Sequence, residues 1–163
     1  MKTYIALLRG INVSGQKKIP MAELREVLSK SGLKNVQTYI QSGNVIFESP
    51  EENIQKLEEK IHNAIHAHFG FEVPILIKTP EELQQIFDAC PFPEKKKINS
   101  YFTMLYRAPE KRLIEEVSKV SYPNEEFIMT NNCIYFYCSI GYGKAKYNNN
   151  FFERKLKITA TAR

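Results

Sequence analysis

An α+β protein made of two tandem halves is the fold class that this 163-residue chain predicts. Three observations carry the prediction. Short strand-like apolar runs alternate with helical repeats in the order β-α-β-β-α-β. That order nearly recurs after residue 100. Each half also holds a turn signal between two apolar runs, Gln41-Ser42-Gly43-Asn44 in one and Asn131-Asn132 in the other, which predicts hairpins and antiparallel sheets. This is the split βαβ order of ferredoxin-like folds, so two tandem ferredoxin-like halves are expected. The first spans 1–79, a connecting helix and linker 80–99, and the second half 100–163.

Taken in order, residues 4–8 form an apolar run that reads as a buried strand. Residues 9–19 are a polar loop, and Pro20 suits the first turn of a helix carrying Met21, Leu24, Val27 and Leu28. Gly32 stops that helix. Residues 36–40 and 45–47 are the strands flanking the first hairpin turn. Ile54, Leu57, Ile61, Ile65 and Phe69 then recur at helical spacing, with Gly70 as the stop. Residues 73–77 make the next strand, 80–89 a short helix, and 91–99 a linker with three consecutive lysines. In the second half, 102–106 is a strand, and Leu113, Ile114, Val117 and Val120 mark a helix. Residues 127–129 and 134–138 pair around the Asn131-Asn132 turn. Asn150 with Glu153 resembles a capping box opening a last helix. The duplication is one of architecture, without a residue-level repeat.

Composition excludes several function classes. With 43% hydrophobic and 25% charged residues the chain reads as an ordinary soluble globular protein. Arg9 ends the first apolar run after six residues, too early for a signal peptide, and no later stretch is long enough to span a membrane. Three cysteines without CxxC spacing imply buried, reduced thiols and a cytoplasmic location; Cys133 and Cys138, five apart in a strand, should face opposite ways. Asp88 is the sole aspartate, and His62, His66 and His68 share one helical segment. A catalytic triad or a metal cluster drawn from several elements therefore has little to use, and neither metal nor cofactor is expected. His62 and His66 have a zinc-like i, i+4 spacing, but with no third ligand evident they read as a solvated helix face. Whether any reaction is catalysed is left open; carboxylates distant in sequence leave glutamate chemistry available.

The charge is segregated. Residues 1–18 carry four basic residues and no acid, 144–163 carry six against Glu153, and the segment between is net negative. Both basic ends hold Gly- and Asn-rich loops, which favours an anionic ligand over a generally sticky surface. The stretch from Gly10 to Lys18 narrowly misses a phosphate-binding P-loop. Gln16 displaces the lysine, and Ile19-Pro20 stands where a magnesium-holding hydroxyl belongs, so a P-loop NTPase is excluded. A looser anion site remains, built on Arg9, Asn12, Lys17 and Lys18 with backbone N–H groups. Because a right-handed βαβ unit makes its strands parallel, this loop should meet the 41–44 hairpin turn, adding Gln41, Ser42 and Asn44 to one pocket. A second anion site is expected at Lys144, Lys146 and Asn149, ahead of the last helix. Arg154, Lys155 and Lys157 lie further along and complement that helix's C-terminus. Tyr4, Tyr135 and Tyr137 suggest base stacking, but residues 42–47 lack the basic and aromatic pattern of an RNA-recognition motif, and core packing or dimerisation explains these rings better.

Several segments together resemble a bacterial family known as domain-of-unknown-function family number 1697: residues 6–13, 19–24 and 38–45, Pro91-Phe92-Pro93, Tyr142-Gly143 and residues 152–156. The resemblance runs from end to end. It implies a tandem α+β fold in a cytoplasmic bacterial protein, and it supplies no reaction. Tyr147 and Asn148 depart from the family's Ser-Lys-Leu-Thr-Asn pattern. The family pattern as a whole runs on past Arg163 into another polar and aromatic helix, so the resemblance implies a further piece of the second half. The functional expectation is a protein holding a phosphate-bearing small molecule or nucleotide at the Arg9, Lys18, Gln41 and Asn44 edge, with no membrane partner. A nucleic-acid-binding module and a structural homodimerisation domain are the alternatives.

Overall fold

Strand β1 (Lys2–Leu8) anchors the first sheet: it is hydrogen-bonded to a strand on either side, and Tyr4, Ala6, Leu7 and Leu8 along it are buried. The computed structural model describes residues 1–163 apart from Ser14 and Ser42, with Gly143 described by its backbone. The chain divides into two compact units, residues 1–85 and 86–163.

In the first unit β1 is followed by α1 (Met21–Lys30), β2 (Lys34–Tyr39), β3 (Asn44–Ser49), α2 (Ile54–Phe69) and β4 (Ile75–Lys78). The four strands form an antiparallel sheet in the order β2-β3-β1-β4. Tyr4, Ala6 and Leu8 face the helices and meet Val45 and Phe47 of β3, Leu24 and Leu28 of α1, and Leu57, Ile61 and Ile65 of α2. Fully burying each aliphatic side chain contributes about 1.5–3 kcal/mol, and this cluster stabilises the unit. Helix α2 starts where Asn53 accepts a hydrogen bond from the Lys56 N–H and stops at Gly70, whose φ of 78° is the left-handed cap. The strands outrun the apolar runs that predicted them: β1 starts at Lys2, paired with Ser49. Strand β4 starts later than expected, with Pro74, which has no N–H to give a ladder, just outside it.

α3 (Pro80–Asp88) opens on a capping box. The Thr79 hydroxyl accepts from Glu82 N–H at 3.1 Å and the Glu82 carboxylate accepts from Thr79 N–H at 3.0 Å. The second unit continues with α4 (Glu94–Lys97), a single turn in the expected linker, then β5 (Tyr101–Leu105), α5 (Lys111–Ser118), β6 (Glu125–Met129), β7 (Cys133–Cys138), α6 (Asn149–Leu156) and β8 (Ala160–Ala162). Its sheet is antiparallel in the order β6-β7-β5-β8. The core is aromatic: Tyr147 stacks on Phe152 at 5.8 Å and meets Phe127 edge-on at 4.8 Å, with Phe136 and Phe151 beside them. On the opposite face of β7, Tyr135 is 1% exposed and donates to the Ile86 carbonyl at 2.7 Å. Burial, then the neighbouring thiols Cys133 and Cys90, push its phenol up to about 12.

Two features depart from the sequence expectation here, the cap of the last helix and the strand that follows it. The last helix is capped by Asn148, whose side chain accepts from Phe151 N–H, and not by Asn150. Strand β8 follows that helix unannounced, since Ala-Thr-Ala is too short and too small to show a pattern. Tyr4 and Tyr135 are core residues bonded to backbone carbonyls, as the core-packing reading expects, so neither ring is available to stack on a base. All three cysteines are buried and form no disulfide. Among the described residues no helix is long and apolar enough to cross a membrane.

Candidate functional site

The chain leaves β1 into a loop that the sheet holds against the β2–β3 turn. Leu8 N–H donates to the Gly43 carbonyl at 2.9 Å and Arg9 N–H to the Pro74 carbonyl at 3.1 Å. Gly43 sits at φ 90°, and a Cβ there would lie 2.7 Å from Leu8 Cβ, so the close approach of turn and strand requires glycine. Asn12 then fastens the two segments. At φ 54° its amide Nδ2 donates to the carbonyls of Ile19 (3.0 Å) and Gln41 (2.8 Å), while Oδ1 accepts from Ile19 N–H (2.8 Å). One side chain thus closes its own loop and ties it to the turn.

Of the residues singled out from sequence, Arg9, Asn12, Lys17, Lys18, Gln41 and Asn44 all belong to this rim, while Ser42 lies outside the described residues. Their roles differ. Asn12 spends its amide inside the protein, Asn44 Nδ2 donates to the Tyr39 carbonyl at 3.0 Å, and Lys17 Nζ donates to the Glu72 carbonyl at 2.6 Å. Lys18 and the Gln41 side chain are exposed, and Arg9 is half-buried.

Sequence reading missed the rim's apolar part. Tyr39 is 68% exposed, Ile40 60% and Val13 55%. Ile40 also holds φ 52°, a left-handed conformation that costs a β-branched residue about 1–2 kcal/mol. Strained backbone of this kind gathers at binding sites. Residues 36–40 read as a strand, and no local signal marks its end as exposed.

The second expected anion site, in the second unit, already contains an anion. The N–H groups of Lys146 and Tyr147 both donate to Glu125 Oε1 at 2.8 Å. Burial, then the charge of Glu125, raise the Tyr147 phenol, which donates to the Val120 carbonyl at 2.6 Å. Asn149 takes a structural role: its Nδ2 donates to the Ala160 carbonyl at 2.8 Å, joining α6 to β8. Lys144 and Lys146 are exposed.

His62 and His66 do gain an acidic neighbour, with Nε2 atoms 2.7 and 3.3 Å from the Glu72 carboxylate. Even so, among the described residues no group of three or more His, Cys, Asp and Glu is placed to hold a metal ion.

The conserved bacterial protein SP0830 from Streptococcus pneumoniae has a similar structure, with a TM-score of 0.73 and 25% sequence identity over 99% of this chain and 92% of that one. No curated protein matches this chain. The family described as "Protein of unknown function (DUF1697)" matches residues 1–135, which include the whole rim, and the chain belongs to that family.

Proposed function

We propose that the chain binds a phosphate-bearing small molecule, with a nucleotide as the best fit, at the rim where the 9–18 loop meets the 41–44 turn. The observation that carries this reading is the Asn12 bridge to the Gln41 carbonyl, because it makes one surface of two loops otherwise 29 residues apart. That surface joins the acid-free basic segment, with Arg9 and Lys18, to exposed Tyr39, Ile40 and Val13. A guanidinium fork and an ammonium suit phosphate oxygens, and an exposed ring beside apolar side chains suits a planar base.

Thermal denaturation against a panel of nucleotides and sugar phosphates tests the reading. A ligand at a hundred times its Kd should add about 2.7 kcal/mol to the stability of the native chain, and Arg9→Ala with Lys18→Ala should abolish that gain. Unchanged melting across the panel refutes it. Gel shifts of labelled RNA at low salt, or a doubled mass in light scattering that Tyr39→Ser reverses, would favour the nucleic-acid or homodimer readings instead.

We further propose that the two units are tandem ferredoxin-like halves. Their strand orders, β2-β3-β1-β4 and β6-β7-β5-β8, correspond term by term. The exits of β1 and β5 correspond as well: Leu8 to Gly43 and Arg9 to Pro74 in the first unit, Leu105 to Asn132 and Tyr106 to Thr159 in the second, all N–H to carbonyl. A cytoplasmic location is proposed on the three buried cysteines, none of them in a disulfide.

A further inference from the structure

Beyond the exit of β5 the second unit opens into a hollow of about 490 Å³, lined by Tyr106, Arg107, Glu153, Lys157, Ile158 and Thr159. An adjoining hollow of about 360 Å³ shares Arg107 and Lys157 and adds Arg112 and Glu110. The larger volume is within the usual range for a small-molecule site, roughly 300–1,000 Å³.

The lining is held in place from the backbone. Arg107 Nη2 donates to the Lys157 carbonyl at 3.0 Å, a bond that uses one of the five N–H donors of a guanidinium. Lys157 itself is the left-handed cap of α6, at φ 55°, and Glu153 Oε2 accepts from Ala160 N–H at 3.0 Å. The first unit makes a matching contact, Lys17 Nζ to the Glu72 carbonyl. In both, a basic side chain from the loop after the first strand donates to the residue two before the strand exit's carbonyl partner, Pro74 or Thr159.

The chemistry of this hollow differs from that of the first-unit rim. Ile158, Leu156 and Leu113 are buried, and apart from the half-buried Tyr106 and the exposed Ala108 the accessible lining is charged or hydroxylic. Three cations face two carboxylates, one of which lies 3.6 Å from Arg112. Cations in that proportion suit a single phosphate, whereas a di- or triphosphate would meet Glu153 and Glu110 as repulsion. Glu153 and Thr159 in turn offer acceptors to hydroxyl groups.

We propose that this hollow is a second ligand site, independent of the first-unit rim, that takes a small phosphate monoester with a hydroxylated body. Its phosphate lies between Arg107 and Lys157, and its hydroxyls turn toward Glu153 and Thr159.

The test is an amide NMR titration of the full chain with inorganic phosphate, ribose 5-phosphate, glucose 6-phosphate and a nucleoside triphosphate. The sugar phosphates should shift the amides of Tyr106, Arg107, Lys157 and Thr159 and bind more tightly than inorganic phosphate or the triphosphate. Losing one charge-assisted contact should weaken them about ten- to hundredfold in Arg107→Gln. Arg112→Gln, which leaves the Lys157 bond intact, should weaken them less, and Arg9→Ala should leave these shifts unchanged. Three results would each overturn the proposal: no shift at these amides, an affinity that Arg107→Gln leaves unchanged, or inorganic phosphate binding as tightly as the esters.

Discussion

Replacing Asn12 with alanine should cost the protein about 3 kcal/mol, and the parts of that figure can be separated. The side chain makes three hydrogen bonds, at 3.0, 2.8 and 2.8 Å. At a half-buried position each contributes about 0.5–1 kcal/mol net, because water replaces part of what is lost; together they come to roughly 2 kcal/mol. The backbone adds to this. Asn12 sits at φ 54°, where asparagine is tolerated and alanine costs about 1 kcal/mol more. Glycine removes that second term, so Asn12→Gly should lose about 2 kcal/mol. Equilibrium urea denaturation of the three proteins measures both differences. An alanine variant within about 0.5 kcal/mol of wild type would refute the clamp, and a glycine variant no better than alanine would refute the strain. The glycine variant carries a functional readout too. It should fold, yet bind any rim ligand more weakly, because the 9–18 loop is no longer tied to the turn.

Gly43→Ala should be worse, by more than about 3 kcal/mol, since its Cβ would lie 2.7 Å from Leu8 Cβ at a φ of 90°; soluble, stable protein would show that the turn can move away. Tyr135→Phe should lose about 1 kcal/mol at neutral pH with the Ile86 bond, then overtake wild type in alkali. The wild-type phenol stays protonated in the fold up to about 12 while the unfolded one ionises from 10.0, so wild type sheds stability across that window, about 1.4 kcal/mol by pH 11. Denaturation midpoints should cross near there, and parallel pH profiles would contradict the burial argument. Glu125→Ala should vacate the Lys146 and Tyr147 N–H groups, so that sulfate stabilises the variant and not the wild type; equal responses would show the turn has no anion preference.

What could be read from sequence follows from how local each signal is. Ile54, Leu57, Ile61, Ile65 and Phe69 with Gly70 define α2 because periodicity and cap sit in one window. The meeting of the 9–18 loop and the 41–44 turn was legible for a different reason: strand order and handedness impose it. What stayed hidden depends on partners far along the chain. Asn12, Asn44 and Lys17 look like ligand-facing groups until the carbonyls of Gln41, Tyr39 and Glu72 are found to take them. Glu125, 21 residues before Lys146, fills a turn that sequence marks as open to anions. Three consecutive asparagines at 148–150 give no local means of choosing the cap. The capping box that forms is Thr79 with Glu82, whereas residues 150–153 only imitate its spacing.

The cysteines have a practical consequence. Cys90, Cys133 and Cys138 all fall in the second unit, and the first has no thiol at all. Because each is shielded in the native state, the speed of alkylation becomes a clock for opening of the second unit alone. Paired with a whole-chain spectroscopic signal, such labelling tells independent melting of the units from a concerted collapse, with no engineered label.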